Sequence, residues 1–430
     1  MPQQTAHVRR NIAALATDFI TFSIGFAFWD PTIVIPAFVQ ELTGSTVAVG
    51  LMTAVRVLVL TLPQVWAASF LMGRSRKKPL LVWSCIVGRL PILALVVAIL
   101  LWGKSAVWVV GLVLALTYAA FYASEGLNVI SWPDLVGKVV PPRIRGRFLG
   151  YGQLLSSLGS LGSGYLVLLV LGANGLAFPS NWAALFACAF VGMMLSLFAI
   201  LMVKEVPDTD TPHQAVNLRR DLAATVQCLR DDSRLRRLVT VQLLLGLAGA
   251  TFPFFVVRAR QGIAGGGELI GLFLVMQNLG GMGAALILGN LIDHMGSWLA
   301  IRLITALQVI CLLVVTVGGL LGMFWAAYLL AFALLGFVTG GSWWSYTSYI
   351  LDIASEKQRP LYLAATGVFQ SLNALSAALV GVLLGVFVAE GVFGVAVLIS
   401  IAGAVLAWTL PRLKPHSQPH DKPEAGGAAG

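Results

Sequence analysis

Charged side chains lie deep inside apolar stretches of this sequence that are long enough to cross a membrane. Asp30 stands eight residues before the outer end of the first stretch, and Arg56 stands ten residues after the outer start of the second. At about 1.5 Å per residue, they lie about 12 Å and about 15 Å below the same membrane face. Ionisable residues at such depth are costly and are therefore functional candidates. We expect Asp30 and Arg56 to pair, or to share a substrate or a proton. The alternative, which includes Arg89 in the third stretch, is a structural ion pair that locks the first three helices.

Two helix faces carry aromatic and hydroxyl side chains at the spacing i, i+3, i+4, i+7. Their members are Tyr118, Phe121, Tyr122 and Glu125 on the first face, and Ser342, Ser345, Tyr346 and Tyr349 on the second. Aromatic rings with hydroxyl tips suit an amphiphilic or aromatic solute, held by stacking and a few hydrogen bonds. Helix packing is the alternative use of the same faces.

Further polar residues form stripes of small or uncharged side chains within apolar stretches. They are Gln153, Ser156, Ser157 and Ser160 in the fifth stretch, Gln277 and Asn278 in the eighth, and Thr366, Gln370 and Asn373 in the eleventh. Such stripes are typical of helix-packing seams in membranes, so we assign them to a moving interface. Asp18 and Glu125, near the cytoplasmic ends of their helices, are assigned to a gate or to that interface. Pro253 should break the seventh helix.

Long apolar helices must position these residues. Hydrophobic residues make up 58% of the chain, charged residues only 11%, and the mean hydropathy is +0.88. Soluble domains average about 25% charged residues, so this is an all-α integral membrane protein. A span needs about 20 apolar residues. The apolar stretches predict helices at 12–38, 46–71, 79–102, 107–131, 148–172 and 182–203, followed by 238–257, 268–291, 298–320, 323–350, 361–387 and 391–410.

These twelve predicted helices fall into two sets of six. The two bundles comprise residues 1–203 and 238–410. The polar segment 204–237 between them is predicted to be a cytoplasmic linker. Within it, residues 217–230 would form an amphipathic helix on the membrane surface. Residues 411–430, rich in Pro, Gly and Ala, form a cytoplasmic tail that we expect to be disordered.

The positive charges fix the expected orientation in the membrane. With both termini in the cytoplasm, 22 of the 28 Lys and Arg residues lie inside, three lie outside and three lie within helices. This asymmetry follows the positive-inside rule and predicts a cytoplasmic (inner) membrane protein. The net charge of +10 therefore reflects topology, and we expect no nucleic-acid partner.

A short polar break separates the eighth and ninth apolar stretches. It reads Gly289-Asn290-Leu291-Ile292-Asp293-His294-Met295-Gly296, and Arg302 follows within the next helix. Glycine tolerates positive φ and permits a tight reversal, while the Asp293 carboxylate and the Arg302 guanidinium would hold the paired helix ends in one conformation. The spacing Gly-x-Leu-x-Asp-x-x-Gly resembles the signature loop of the major facilitator superfamily, which joins helices 8 and 9. His294 stands where that family usually has Arg.

The two halves also repeat each other. Asp134 and Arg145 follow the fourth helix, Asp352 and Arg359 follow the tenth, and the two aspartates are offset by 218 residues. The loop at 73–78 is a degenerate first copy of the signature motif. The resemblance implies twelve transmembrane helices in two pseudo-symmetric six-helix bundles. It also implies that helices 1, 4, 7 and 10 line a central cavity, which would place both aromatic faces there.

The resemblance implies a secondary transporter that moves a small solute by alternating access. We expect no enzymatic activity, no cofactor and no metal, a monomer in the lipid bilayer, and a small-molecule substrate with or without protons. Tyr122 stands where proton-coupled drug exporters of this family have Arg, but a titratable Asp30 still allows proton coupling. The aromatic faces favour export of an amphiphile. A non-transporting or lipid-handling protein of the same fold, a sensor or flippase, stays the alternative, and a membrane-embedded enzyme is a distant third.

Overall fold

The computed structural model of the chain describes residues 2–71, 76–205, 227–263, 266–354 and 359–412, and within these ranges its regular structure is helical. The helices of the first half are α1 (Pro2–Ala27), α2 (Val34–Thr43), α3 (Thr46–Leu71), α4 (Lys78–Trp102), α5 (Val107–Val139), α6 (Pro142–Leu171) and α7 (Ser180–Met202). Those of the second half are α8 (Ser233–Gly249), α9 (Pro253–Gly262), α10 (Glu268–Met295), α11 (Ser297–Leu320), α12 (Phe324–Ile353), α13 (Arg359–Gln370), α14 (Asn373–Val386) and α15 (Ala389–Trp408).

The helices form the predicted succession of membrane segments, with two unpredicted breaks and one that Pro253 predicts. By length and composition, nine stretches among the described residues are long and apolar enough to span a membrane. The predicted helices 12–38, 238–257 and 361–387 are each divided in two, as α1 and α2, α8 and α9, and α13 and α14. Most of the predicted linker helix, the loop residues 72–75 and most of the tail lie outside the described residues.

The break in the first segment is centred on Asp30 and Pro31. Proline has no N–H to continue the helical ladder, and the Asp30 carboxylate takes over two backbone donors. Its Oδ1 accepts hydrogen bonds from the N–H groups of Thr32 at 2.8 Å and Ile33 at 2.7 Å. Aspartate side chains compete with helical hydrogen bonds in this manner. The predicted continuous helix therefore ends at Ala27 and resumes at Val34.

The seventh segment begins earlier than predicted and is broken where Pro253 predicts. Asp232 caps α8, since its Oδ1 accepts the Arg234 N–H at 2.7 Å, so the helix starts at Ser233 instead of residue 238. Burial alone would raise the pKa of the Asp232 carboxyl, but hydrogen bonds from the Tyr362 hydroxyl and the Arg234 N–H, with the Arg234 charge, lower it below the ordinary 3.8.

The hydrophobic core shows how the two halves meet. At the end of the molecule away from the termini, one cluster continues through both halves and includes Phe38 and Phe255. Toward the termini the core divides into separate clusters, one around Leu135 in the first half and one around Tyr349 in the second. The halves therefore share a core at one end and part toward the other.

Two polar contacts across the halves lie at the same end. The Thr46 hydroxyl of α3 donates to the Gly381 carbonyl of α14 at 2.9 Å, and Arg260 of α9 binds Glu41 of α2 at 3.0 Å. Glycines let the backbones approach closely: a β-carbon at Gly271 of α10 would overlap the Leu168 backbone of α6. The end away from the termini is therefore closed in this conformation.

Candidate functional site

A cavity of about 310 Å³ lies between the halves, beside the shared core. It is lined by α1, α6, α10, α12 and the break that follows α1. Apart from Asp30, its polar lining consists of the uncharged residues Ser23, Gln153, Ser156, Ser157, Ser160, Gln277, Asn278 and Thr339. Its aromatic lining consists of Phe22, Phe26 and Trp344. The cavity thus offers hydrogen-bonding groups, ring faces and one carboxyl group.

Asp30 links the halves through a ring of three side chains. Its Oδ2 lies 3.0 Å from the Gln277 amide nitrogen of α10, which donates to it. The Thr32 hydroxyl oxygen lies 2.7 Å from Asp30 Oδ1 and 3.0 Å from Gln277 Oε1, so the ring closes. Asp30 is buried, with 7% of its surface exposed. The sequence assigned Gln277 only to an interface; the structure brings it to the carboxyl group as well.

The serine stripe of α6 is a packing seam against α1. The hydroxyls of Ser156, Ser160 and Ser163 donate to backbone carbonyls of α1 at 3.3, 3.2 and 3.1 Å. Asn278 of α10 donates to the Ser160 carbonyl at 3.1 Å. The same stripe therefore holds α6 to α1 and meets the second half, while it lines part of the cavity.

Arg56 does not pair directly with Asp30, contrary to the expectation from their depth. Among the ion pairs of the described residues, none joins Arg56 to a carboxylate. The Arg56 guanidinium carbon instead lies 5.8 Å from the centre of the Tyr122 ring. Equal depth on adjacent helices did not determine the pairing, because the Asp30 carboxylate turns toward its own backbone and Gln277.

The aromatic face of α5 is buried inside the first half and is not part of the cavity lining. Trp29 packs on Tyr118 at 5.9 Å between ring centres, and Tyr118 packs on Tyr122 at 4.7 Å. Glu125 accepts a hydrogen bond from Asn128 at 3.0 Å. The face therefore begins beside Asp30 and leads through rings toward Arg56, instead of facing the solute space between the halves.

The second aromatic face is also turned away from the cavity. Ser345 and Tyr349 are fully buried in the second half, and Tyr346 packs against the same cluster. From α12, the cavity is lined instead by Thr339 and Trp344, with glycines beside them. The expectation that Ser345, Tyr346 and Tyr349 face the cavity is wrong, because the face of α12 beside the cavity is the one that carries Gly336 and Gly340, which pack closely on α10 of the same half.

Asp18 and Arg89 meet inside the first half through Ser196 of α7. Arg89 Nη1 donates to the Ser196 hydroxyl at 3.0 Å and to the Met193 carbonyl at 2.7 Å, and the Ser196 hydroxyl donates to Asp18 Oδ1. Trp132 donates to Asp18 Oδ2 at 2.7 Å. Asp18 is therefore held within one bundle, not at a gate between bundles, and Arg89 has the structural role that the sequence left open.

The sequence profile of the Major Facilitator Superfamily matches residues 17–372. The chain belongs to this superfamily. Its fold is the all-α fold of that superfamily, and it is an integral membrane protein of a transporter family. Curated protein sequences contain no match to it.

Solved structures of superfamily transporters share the fold. The nucleoside transporter NupG aligns with a TM-score of 0.63 at 14% identity, over 93% of this chain and 98% of that one. A D-xylose–proton symporter aligns with 0.64 at 13%, over 95% and 98%. A bacterial homologue of the iron transporter ferroportin, in an inward-facing state, aligns with 0.65 at 14%, over 93% and 98%. At these identities the likeness concerns the fold alone.

The segment 289–296, whose spacing resembles the superfamily's signature loop, forms the last two turns of α10 and the reversal into α11, so the predicted polar break is helical up to Met295. Gly289 is exposed within α10, and Gly296 takes a positive φ of 95° at the reversal; the Asp293 side chain is outside the described residues. Arg302 is buried and donates to the backbone carbonyls of Trp408 at 2.6 Å and Leu410 at 3.2 Å. Arg302 thus caps the end of α15, a partner that the sequence reasoning missed.

The repeated aspartates make corresponding contacts in the two halves. Asp134 binds Lys77, just before α4, at 2.8 Å, and Asp352 accepts a hydrogen bond from Ser297, the first residue of α11. Each aspartate therefore ties the end of one helix to the start of the helix before it. Of the two arginines that follow them in the sequence, Arg359 begins α13, and the Arg145 side chain is outside the described residues.

Proposed function

We propose that this protein is a secondary transporter that moves a small amphiphilic solute by alternating access, coupled to protons at Asp30. The halves would rock about the cavity, and the contacts Thr46–Gly381 and Arg260–Glu41 join them at the end away from the termini. The charge asymmetry of the loops supports termini in the cytoplasm and hence an inward-open state. The cavity supports an amphiphilic solute, since Phe22, Phe26 and Trp344 offer ring faces beside the amides of Gln153 and Asn278.

Proton coupling is supported by the number of protons available to the hydrogen-bonded ring formed by the Asp30, Thr32 and Gln277 side chains. Two oxygen–oxygen approaches, Asp30 to Thr32 and Thr32 to Gln277, need two protons to be hydrogen bonds, but the threonine hydroxyl supplies one. Turning the Gln277 amide over moves the deficit to Asp30 Oδ2 and Gln277 Oε1, and does not remove it. A proton on Asp30 supplies the missing donor in either orientation.

Protonation therefore favours this closed contact between the halves, and loss of the proton weakens it. An oxygen pair without a proton is an unsatisfied and repulsive contact in a buried site. Release of the proton would let α1 and α10 separate, so that the cavity opens toward the other side. The arrangement supplies the differential stability that a proton-driven conformational change requires.

The experiment is transport by the purified protein in liposomes. A thermal-shift screen over amphiphilic drugs, nucleosides, sugars, amino acids and organic anions first identifies a ligand, because a ligand of the folded state raises the unfolding midpoint. The labelled ligand is then offered with and without an imposed pH gradient, in both orientations of the gradient. We expect gradient-driven accumulation that a protonophore abolishes. A ligand that binds but is never moved would instead favour the non-transporting alternative.

A further inference from the structure

Arg56 differs from the other arginines embedded in the helix bundles. Arg89 donates to Ser196 and a carbonyl, Arg258 binds Glu390, and Arg302 caps α15. Among the described residues, the Arg56 guanidinium has no oxygen acceptor. Its Nε is buried without a hydrogen-bond partner, as are those of Arg89 and Arg302, but those two arginines donate through their terminal nitrogens, whereas in the described part of the chain Arg56 contacts only the Tyr122 ring. A cation at this depth without an acceptor is costly unless a ligand supplies one.

A second unsatisfied donor lies beside it. The Tyr122 side chain is 3% exposed, and its hydroxyl makes no hydrogen bond of full geometry among the described residues, although the Tyr118 hydroxyl lies within reach of it. Buried polar groups are normally paired, so the Arg56 guanidinium and the incompletely bonded Tyr122 hydroxyl on the ring beside it indicate a missing acceptor between α3 and α5. Arg56 itself is partly exposed, which leaves a route by which that acceptor can arrive.

The chemistry of the two donors defines the ligand class. A guanidinium presents several N–H groups in a planar fork that matches the oxygens of a carboxylate, and a phenol adds one O–H donor. Arg56 lies near the middle of its segment, too deep for the phosphate of a lipid headgroup held at the membrane surface. A carboxylate of a small solute fits this position.

We propose that Arg56 and Tyr122 form an anion-binding subsite beside the cavity, and that the transported solute carries a carboxylate that reaches this subsite when the halves rearrange. The identification of this anion as part of the solute rests on the proposed transport function; the binding itself does not. The Trp29, Tyr118 and Tyr122 rings connect the subsite to the Asp30 side of the cavity. Once Asp30 is neutral, a bound carboxylate balances the charge of Arg56.

The test is a thermal-shift comparison of benzoate and benzamide on the purified full-length protein near neutral pH. The two probes are nearly equal in size and planarity, and only benzoate is charged. We expect benzoate to raise the unfolding midpoint with the logarithm of its concentration, and benzamide to raise it far less. Arg56→Gln should abolish the benzoate shift, and Tyr122→Phe should weaken binding about tenfold, since a hydrogen bond to a charged group is lost.

Two control variants separate a binding role from a structural one. Tyr328→Phe also removes a buried hydroxyl without a partner, in the second half, and should leave the benzoate shift unchanged. Arg258→Gln leaves Glu390 buried without its cation and should lower the midpoint of the ligand-free protein, whereas Arg56→Gln should not. A benzoate shift that is absent, or that persists in Arg56→Gln, overturns the proposal. So does a loss of ligand-free stability in Arg56→Gln equal to that of Arg258→Gln. Because no transport is measured, each of these results leaves the transport proposal standing.

Discussion

Replacing Asp30 by asparagine should remove the pH dependence of the closed contact while preserving the contact itself. The asparagine oxygen can accept the two backbone N–H groups and the Thr32 hydroxyl, as Asp30 Oδ1 does. Its amide nitrogen, in place of Oδ2, can donate to Gln277 Oε1 once the glutamine amide is turned over. Asp30→Asn therefore supplies at every pH the donor that the wild-type ring acquires only with a proton.

The size of the effect follows from one hydrogen bond between the halves. A neutral hydrogen bond contributes about 1 kcal/mol net, which corresponds to about a fivefold change in the ratio of closed to open molecules. In the wild-type protein, that ratio should fall about fivefold as rising pH removes the proton. In Asp30→Asn it should stay at the wild-type acid limit. In Asp30→Ala, which supplies neither donor nor acceptor, it should be low at all pH values.

Spin-label distances measure the ratio directly. Asn174 and Leu321 are exposed at the closed end, one in each half, so labels on cysteines placed there move apart when that end opens; the native cysteines are replaced first. Thr32→Val keeps the Asp30 carboxyl but removes the shared hydroxyl, and with it the proton deficit. We expect it to reduce the pH response. If Asp30→Asn retains the wild-type pH response, or if Thr32→Val leaves that response undiminished, the proton count in the ring is refuted as its cause.

Three further substitutions probe other contacts. Arg302→Met should lower the free energy of unfolding by about 1.5–3 kcal/mol, because charge-assisted hydrogen bonds to the end of α15 are lost. The thermal midpoint measures this loss of stability. An unchanged midpoint would show that Arg302 does not stabilise the end of α15. Gly271→Ala should populate the open state, because its new β-carbon would meet the backbone of α6, whereas Gly150→Ala has open space around it and should not. The same spin labels compare the two variants. Equal behaviour would contradict the close approach of α10 to α6. Asp232→Asn keeps the helix cap but loses the charge, so it should lower the thermal midpoint at neutral pH. The difference from the wild-type protein should vanish as the pH falls below 3.8, where the native carboxylate is progressively protonated. A difference that is constant with pH would exclude the ionised carboxylate as its source.

The succession of membrane segments could be predicted from the sequence because each needs a long apolar stretch between polar breaks. The breaks inside segments were harder. Pro253 predicts one of these breaks. Asp30 followed by Pro31 is an equally clear sign of a helix break, but in the sequence Asp30 reads as a functional charge within a continuous helix. In the structure the same carboxylate ends one helix, starts the next and contacts the opposite half. Its structural and proposed functional roles are inseparable.

The face that each helix turns to the cavity could not be predicted by the same means. In a membrane, lipid-facing and core-facing surfaces are both apolar, so the spacing of Ser345, Tyr346 and Tyr349 identified a face but not its direction. The hydrogen-bond partner of Arg302 could not be predicted from the sequence for another reason. It is a pair of backbone carbonyls, and a carbonyl has no signature in the amino-acid sequence.

The polar groups inside this protein divide by whether the fold satisfies them. Asp18, Arg89 and Arg302 find their partners within one half, so a rocking motion of the halves leaves these bonds intact. Asp30 has one of its hydrogen-bond partners, Gln277, in the other half, and by the proposed proton count its ring of hydrogen bonds lacks one proton. Arg56 lacks an oxygen acceptor among the described residues. A proton-coupled transporter of the kind proposed has to bind and release its proton and its solute in each cycle, so the groups that do this should be the ones that the fold alone does not satisfy. On this reasoning we propose that Asp30 and Arg56 belong to the transport cycle, and that the charges bonded within one half belong to the bundles that carry it.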